Sequence, residues 1–224
     1  MRIKWGAMVT EGRGKLGGHV ASKAKSGATF FTKPRPNLTT SQYSSRQRAY
    51  FAQLSRGWSS LTAAQIQAWN DAVGLFRYTD IFGDSRTLSG KALYQRLNMN
   101  LLLTGQTLLS LPPVPGPTGV PVIDSFSVST ATGSVNLQTP NANANALVLI
   151  YATPILSTGV RYWSDQLALL GYLQLNAGGD GTLTNGYSNR YSLPAAGVNI
   201  GLAYRIIAST GQASAMAKRL FTTS

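Results

Sequence analysis

Five prolines fall in the ten residues from Pro112 to Pro121, and this stretch limits the fold more than any other feature. A proline fixes φ near −65° and has no backbone N–H, so neither a helix nor a central strand passes through residues 112–121. The stretch reads as a stiff, extended linker, with one kind of periodicity before it and another after it. The expected organisation is α+β in separate domains. A basic extended arm covers residues 1–36, a helical docking domain 37–111, the proline-rich linker 112–121 and a β-sandwich 122–224.

Residues 39–104 carry three helical signatures. The first runs from about Thr40 or Ser41 to Arg56, with Tyr43, Tyr50, Phe51, Leu54 and Trp58 near one face. The second begins at Thr62-Ala63-Ala64-Gln65, a capping box. The Thr62 hydroxyl can accept from the Gln65 N–H while Gln65 reaches back, and Leu61 and Ile66 sit where a hydrophobic staple would place them. Ile66, Trp69 and Val73 follow as its buried stripe, with Gly74 as the stop. The third is capped by Ser89, shows Leu93, Leu97 and Leu101 on one face, and ends before Gly105. Trp58, Trp69, Leu93, Leu97 and Leu101 are thus the expected core of the docking domain.

Beyond the prolines the period falls to two. Phe126 and Val128, then Val135 and Leu137, then Ala146–Ala152, Tyr191–Leu193, Gly201–Ser209 and Ala213–Phe221 read as strands. Trp163–Leu175 is open between strand and short helix. Turn signals at Ala131-Thr132-Gly133, Pro140-Asn141, Gly178-Gly179-Asp180-Gly181, Asn185-Gly186 and Thr210-Gly211 leave room for about seven strands, the pattern of an antiparallel β-sandwich.

Charge is sparse and one-sided. Charged residues make up 12% of the chain, and the net charge is +13. Residues 1–56 hold eleven Lys/Arg against the single acid Glu11, which is +10 of that total. Such an excess points to an acidic partner, either packaged nucleic acid or the acidic face of another subunit; a solubilising tail is the plainer alternative. Gly12, Gly14, Gly17, Gly18 and Gly27 weaken regular structure in the arm, and Pro34 and Pro36 hold its end extended. The expected partner-binding residues of the arm are Arg2, Lys4, Trp5, Arg13, Lys15, Lys23, Lys25, Phe30, Phe31, Lys33 and Arg35. The Phe30-Phe31 pair would anchor an extended arm across a neighbour.

Two stretches resemble known families. Tyr204-Arg205-Ile206-Ile207-Ala208, with Gly211 and Ser214 after it, resembles the late strands of fibronectin type III and other immunoglobulin-like modules. The resemblance implies an immunoglobulin-like sandwich and no particular function. The second stretch is Trp58-(x2)-Leu61-Thr62-(x2)-Gln65-(x2)-Ala68-Trp69-Asn70, with Phe82-Gly83-Asp84, Leu88-Ser89-Gly90 and Leu97-Asn98-(x)-Asn100-Leu101 following. It is similar to a group of proteins encoded in tailed-phage genomes, which implies a virion component.

Catalytic chemistry is poorly provided for. The one histidine, His19, lies beside Lys15 and Lys23 and has no partner placed to make it a general base. Asp80 and Asp84 fit a capped turn as well as a cation site. Gly178-Gly179-Asp180-Gly181 is a single copy of a fragment that binds calcium only in stacked repeats. Asn37-Leu38-Thr39 matches a glycosylation sequon, but the N-terminus makes a poor signal peptide. No cysteine is present, so disulfides and thiolate metal sites are excluded. No apolar run approaches the 18 residues of a membrane span.

The expectation is therefore a non-enzymatic structural protein of a phage virion, assembled in the host cytoplasm, with no cofactor, metal or membrane. It would be a capsid or portal-vertex auxiliary protein within a multi-subunit assembly, bound to other virion structural proteins, with its arm open between another subunit and the packaged nucleic acid. The alternatives are a non-specific nucleic-acid-condensing protein and a surface adhesion module.

Overall fold

A computed structural model of the chain describes residues 12–24, 27–32, 41–76, 78–79, 82–116, 122–139 and 145–223. The fold is mixed α and β, and every strand pairing in it is antiparallel. The later part of the proline stretch, Asp80 and the sequon all lie outside the described residues.

Three α-helices form among the described residues, α1 (Gln42–Ser59), α2 (Ala63–Ala72) and α3 (Gly90–Leu103). Each starts at a hydroxyl cap. Ser41 Oγ accepts from Ser44 N at 3.2 Å and Ser89 Oγ from Ala92 N at 3.2 Å. At α2 both halves of the capping box are made, Gln65 N to Thr62 Oγ1 at 3.3 Å and Thr62 N to Gln65 Oε1 at 2.9 Å. Such caps contribute about 1 kcal/mol each. Gly105, at φ +68°, ends α3 in a Schellman turn, with Gln106 N donating to Leu101 O at 2.8 Å and Gly105 N to Leu102 O at 3.3 Å.

Helix α2 stops at Ala72, before Gly74, and tightens into a 3-10 turn at Val73–Leu75. Helix α1 runs three residues beyond its expected end and takes in Gly57. A Cβ on Gly57 would sit 2.6 Å from the Tyr94 hydroxyl, so the glycine lets α1 approach α3 closely.

Leu54, Trp69, Ala72, Leu93, Tyr94 and Leu97 form the helical core, with Trp58 half-buried against it. Segment 106–111 is tied down on these helices. Trp69 Nε1 donates to Ser110 O at 2.9 Å, and the buried Asn98 amide exchanges two bonds with the Leu109 backbone.

The described residues of the second half hold seven strands, β6 (Ser125–Val128), β7 (Val135–Gln138), β8 (Leu147–Ala152), β9 (Ala168–Gln174), β10 (Asp180–Leu183), β11 (Asn199–Ile207) and β12 (Ala217–Thr222). They divide into a three-stranded sheet ordered β10-β7-β6 and a four-stranded sheet ordered β12-β11-β8-β9. Both sheets share one core. Phe126, Val128, Val135 and Leu137 enter it from the first sheet, and Val148, Ile150, Leu173, Leu202, Tyr204 and Ile206 from the second. Tyr204 Oη donates to Val122 O at 2.6 Å and so ties the entry of β6 to β11.

Two strand expectations are corrected. Tyr191–Leu193 is not a strand: Tyr191 packs against Tyr187 and donates to Ala152 O, so the aromatic ring closes the core from a loop. β10 begins at Asp180, inside the expected Gly178–Gly181 turn, because its backbone completes the edge of β7. Trp163–Leu175 resolves into a short 3-10 turn and β9.

The largest departure is at the N-terminus. Where composition predicts an irregular arm, residues 14–24 and 27–32 form a three-stranded meander, β1 (Gly14–Leu16), β2 (His19–Ala24) and β3 (Gly27–Thr32). Gly17, at φ +57°, opens the two-residue Gly17-Gly18 hairpin, a conformation other residues adopt at a cost. The glycines that weaken strands elsewhere here make the turn that pairs them. A small pair, β4 (Tyr78–Thr79) and β5 (Ser85–Arg86), lies beside it, and the Arg86 guanidinium abuts Gly27.

The helices touch the second half directly. Tyr43 Oη donates to Asn189 O at 3.0 Å, Asn100 Nδ2 to Gly211 O at 2.8 Å, and Gly116 N to Gln212 Oε1 at 2.9 Å. The first prolines of the linker thus run along the β region instead of spacing it away.

Candidate interaction surface

The meander presents its side chains on two faces. Register places Leu16, His19, Lys23 and Phe30 on one face and Lys15, Val20 and Phe31 on the other. His19 stacks on Phe30, ring centroids 5.2 Å apart, and Ser22 Oγ meets Thr29 Oγ1 at 3.2 Å. No described residue of the three strands is buried. Leu16 is 73% exposed and Phe31 40%. Apolar and cationic groups are therefore interleaved on a sheet with little core of its own.

Helix α1 continues the charge. Arg46, Arg48 and Arg56 are exposed on it, and it contains no acid. Across the described residues from 12 to 59 there are six Lys/Arg and no Asp or Glu. Phe51, 52% exposed, stands over a shallow groove with Ala92, Gln95 and Met99. At the start of α1, Arg190 lies over the Tyr43 ring at 4.0 Å while its guanidinium donates to Leu169 O at 3.0 Å. That cation–π contact fixes the helix against the β region.

Of the arm residues expected to bind a partner, Arg13, Lys15 and Lys23 are exposed, Phe30 is half-buried and Phe31 exposed. Arg2, Lys4, Trp5, Lys25, Lys33 and Arg35 lie outside the described residues. Trp69, Leu93, Leu97 and Leu101 are buried in the interior, so they shape the helical region from within. The arginines of α1 add to the surface. Their signal in the sequence was an 18-residue helix with three cations and no counter-charge.

Among the described residues no three His, Cys, Asp or Glu side chains come together, and no helix is long and apolar enough to cross a membrane. Compared with family models, curated proteins and solved structures, the chain matches none.

Proposed function

We propose that this chain is a non-enzymatic structural component of a tailed-phage virion, a capsid or portal-vertex auxiliary protein that docks through its N-terminal region. The observation that carries the reading is the meander. A small sheet that buries little of its own apolar surface gains most from lying against something else, and Leu16, Val20, Phe30 and Phe31 supply the contact area. Lys15, Lys23 and the arginines of α1 select an acidic surface for that partner.

The immunoglobulin-like reading of residues 122–224 belongs to the same proposal. It is supported by the three-plus-four division of the strands, with β7 between β6 and β10 and β11 between β8 and β12. In this role the β region contacts neighbours in the assembly, and residues 37–111 form the docking unit. Binding packaged nucleic acid is the second reading, favoured by the same unbroken run of six cations.

Limited trypsin digestion of the free chain and of native particles tests the pair. The structural reading expects rapid cleavage at Arg13, Lys15 and Lys23 in the free chain and protection in particles, retained after the nucleic acid is removed. Protection that disappears with the nucleic acid assigns these residues to the genome. Absence of the chain from purified particles overturns the virion reading altogether.

A further inference from the structure

Helix α1 turns one large apolar side chain outward. Its other exposed residues are polar or alanine, whereas Phe51 stands over the groove that α1 forms with α3. The groove holds about 350 Å³, and Ala92 and Met99 of α3 continue its apolar lining. Ala92, Gln95 and Met99 follow one another at helical spacing, so this wall is two turns long, roughly 10 Å. The two helices are held together beneath it. Gln95 Nε2 donates to Ser55 Oγ at 3.2 Å, Gly57 lets α1 close on Tyr94, and Leu54 and Tyr94 are buried in the core behind. The groove is therefore pre-formed.

Positive charge flanks the apolar strip. Arg48 lies one turn before Phe51 on α1, Arg56 folds back to donate from Nε to Ala52 O at 3.4 Å, and Lys91 adjoins Ala92. All three are exposed. With Arg46 and Arg96 the two helices carry five cations, and neither contains an acid. Only four acids precede the proline-rich linker, Glu11, Asp71, Asp80 and Asp84, and the other three belong to the β region. Wherever those four lie, the helix pair stays net positive. A two-turn apolar strip between cations fits the apolar face of a helix whose flanks are acidic. A phosphate backbone would match the cations but gain little from Phe51, Ala92 and Met99.

We propose that the α1–α3 groove binds an acidic amphipathic helix of a partner protein, whose apolar residues at i, i+4 and i+7 seat on Phe51, Ala92 and Met99. The inference rests on the docking role given to residues 37–111 and supplies the form of the partner.

The test is fluorescence anisotropy of the full chain with a labelled peptide of about 18 residues, long enough to be helical, built from Leu, Ala and Glu with Leu at that spacing. Saturable binding that weakens with added salt is expected. A scrambled peptide of the same composition, and an ordered one with Lys in place of Glu, should bind at least about tenfold more weakly. Phe51→Ala should weaken binding about tenfold or more, and Arg48→Glu/Lys91→Glu should weaken it and flatten its salt dependence. Leu193→Ala/Lys218→Glu, which alters an exposed apolar group and an exposed cation of the β region, should leave it unchanged. The proposal fails if neither peptide binds, if ordered and scrambled peptides bind alike, or if Phe51→Ala binds as the parent chain does. It also fails if a DNA duplex displaces the peptide and depends on Phe51 to the same degree, which assigns the groove to nucleic acid. A dimer in sedimentation that Phe51→Ala dissociates overturns it in favour of a second copy. Should Phe51→Ala lose helical content by circular dichroism, Arg48→Glu/Lys91→Glu decides, because both side chains are exposed. Digestion of particles reads the meander and peptide binding reads only the groove, so either reading can fail alone.

Discussion

Strands β2 and β11 are both central in their sheets, paired on either side, yet they are stabilised in opposite ways. In β11, Ile200, Leu202, Ala203 and Tyr204 are wholly buried, and the strand separates the core shared with the smaller sheet from the face toward Arg205. In β2 no described side chain is buried. Backbone pairing is common to both, so it cannot be what sets their stability apart. A hydrogen bond made in exchange for one to water contributes about 1 kcal/mol, whereas a fully buried Leu or Ile contributes roughly 1.5–3 kcal/mol. The β region carries its stability within itself, and the meander buries none of its described side chains.

Truncating Leu202 to Ala should sharpen that contrast most. It removes a side chain with no exposure from the shared core and should cost about 2–5 kcal/mol in chemical denaturation. A loss below about 1 kcal/mol would mean that the two sheets are loosely packed and the comparison unsound.

Alkaline pH should come next. Burial pushes both Tyr187 and Tyr204 up to about 12, helped by nearby Tyr191 in the first case and Asp124 in the second. A raised tyrosine pKa means that the folded state keeps its proton more tightly than the unfolded chain, whose tyrosines titrate near 10. Their contribution is complete below pH 10 and is lost as pH climbs toward 12, on the order of 2 kcal/mol for each residue. Urea midpoints measured from pH 9 to 12 should fall along that range, and Tyr187→Phe should flatten part of the fall. No described strand of the meander contains a tyrosine, so its own opening should not follow this profile.

At neutral pH the same two hydroxyls should part company. Tyr204 Oη holds Val122 O at 2.6 Å, and Tyr204→Phe should cost about 1 kcal/mol. Tyr187 Oη is buried without a partner among the described residues, so Tyr187→Phe should be neutral or slightly stabilising. Equal losses for the two variants would show that Tyr187 finds a hydrogen-bond partner in solution.

What the sequence disclosed follows from how local each signal is. The caps at Thr62 and Ser89 and the stop at Gly105 are bonds between residues a few positions apart, and they were legible in full, while the start of α1 was open between Thr40 and Ser41. Strand β10 was hidden because a glycine-rich stretch with a single leucine extends only when β7 offers an edge 40-odd positions away in the chain. Tyr191 misled for a related reason, since its ring fills the end of the core from a loop. The arm's five glycines were weighed as losses of order, while Gly17-Gly18 was itself the hairpin signal. Of the interaction surface, the charge was legible and the pairing of strands beneath it was not. The contact of α3 with the β11–β12 turn was invisible, because Asn100 and Gly211 are far apart in the chain and meet only in the fold.

The smallest expected effect tests the other side of the comparison. Leu16→Ala combined with Phe31→Ala should change the stability of the free chain by no more than about 0.5 kcal/mol, because Leu16 is mostly in water and neither side chain packs into a buried cluster of the described residues. Hydrogen exchange should agree with this. Amides of β2 should exchange through local opening of the meander, and those of β11 only through global unfolding, although both strands are bonded on two sides. If the double variant instead lost more than about 1 kcal/mol, or if β2 and β11 exchanged together, the meander would belong to the cooperative core. Its exposed leucine and phenylalanine would then be contributing to folding, and the case for a surface reserved for a partner would go with them.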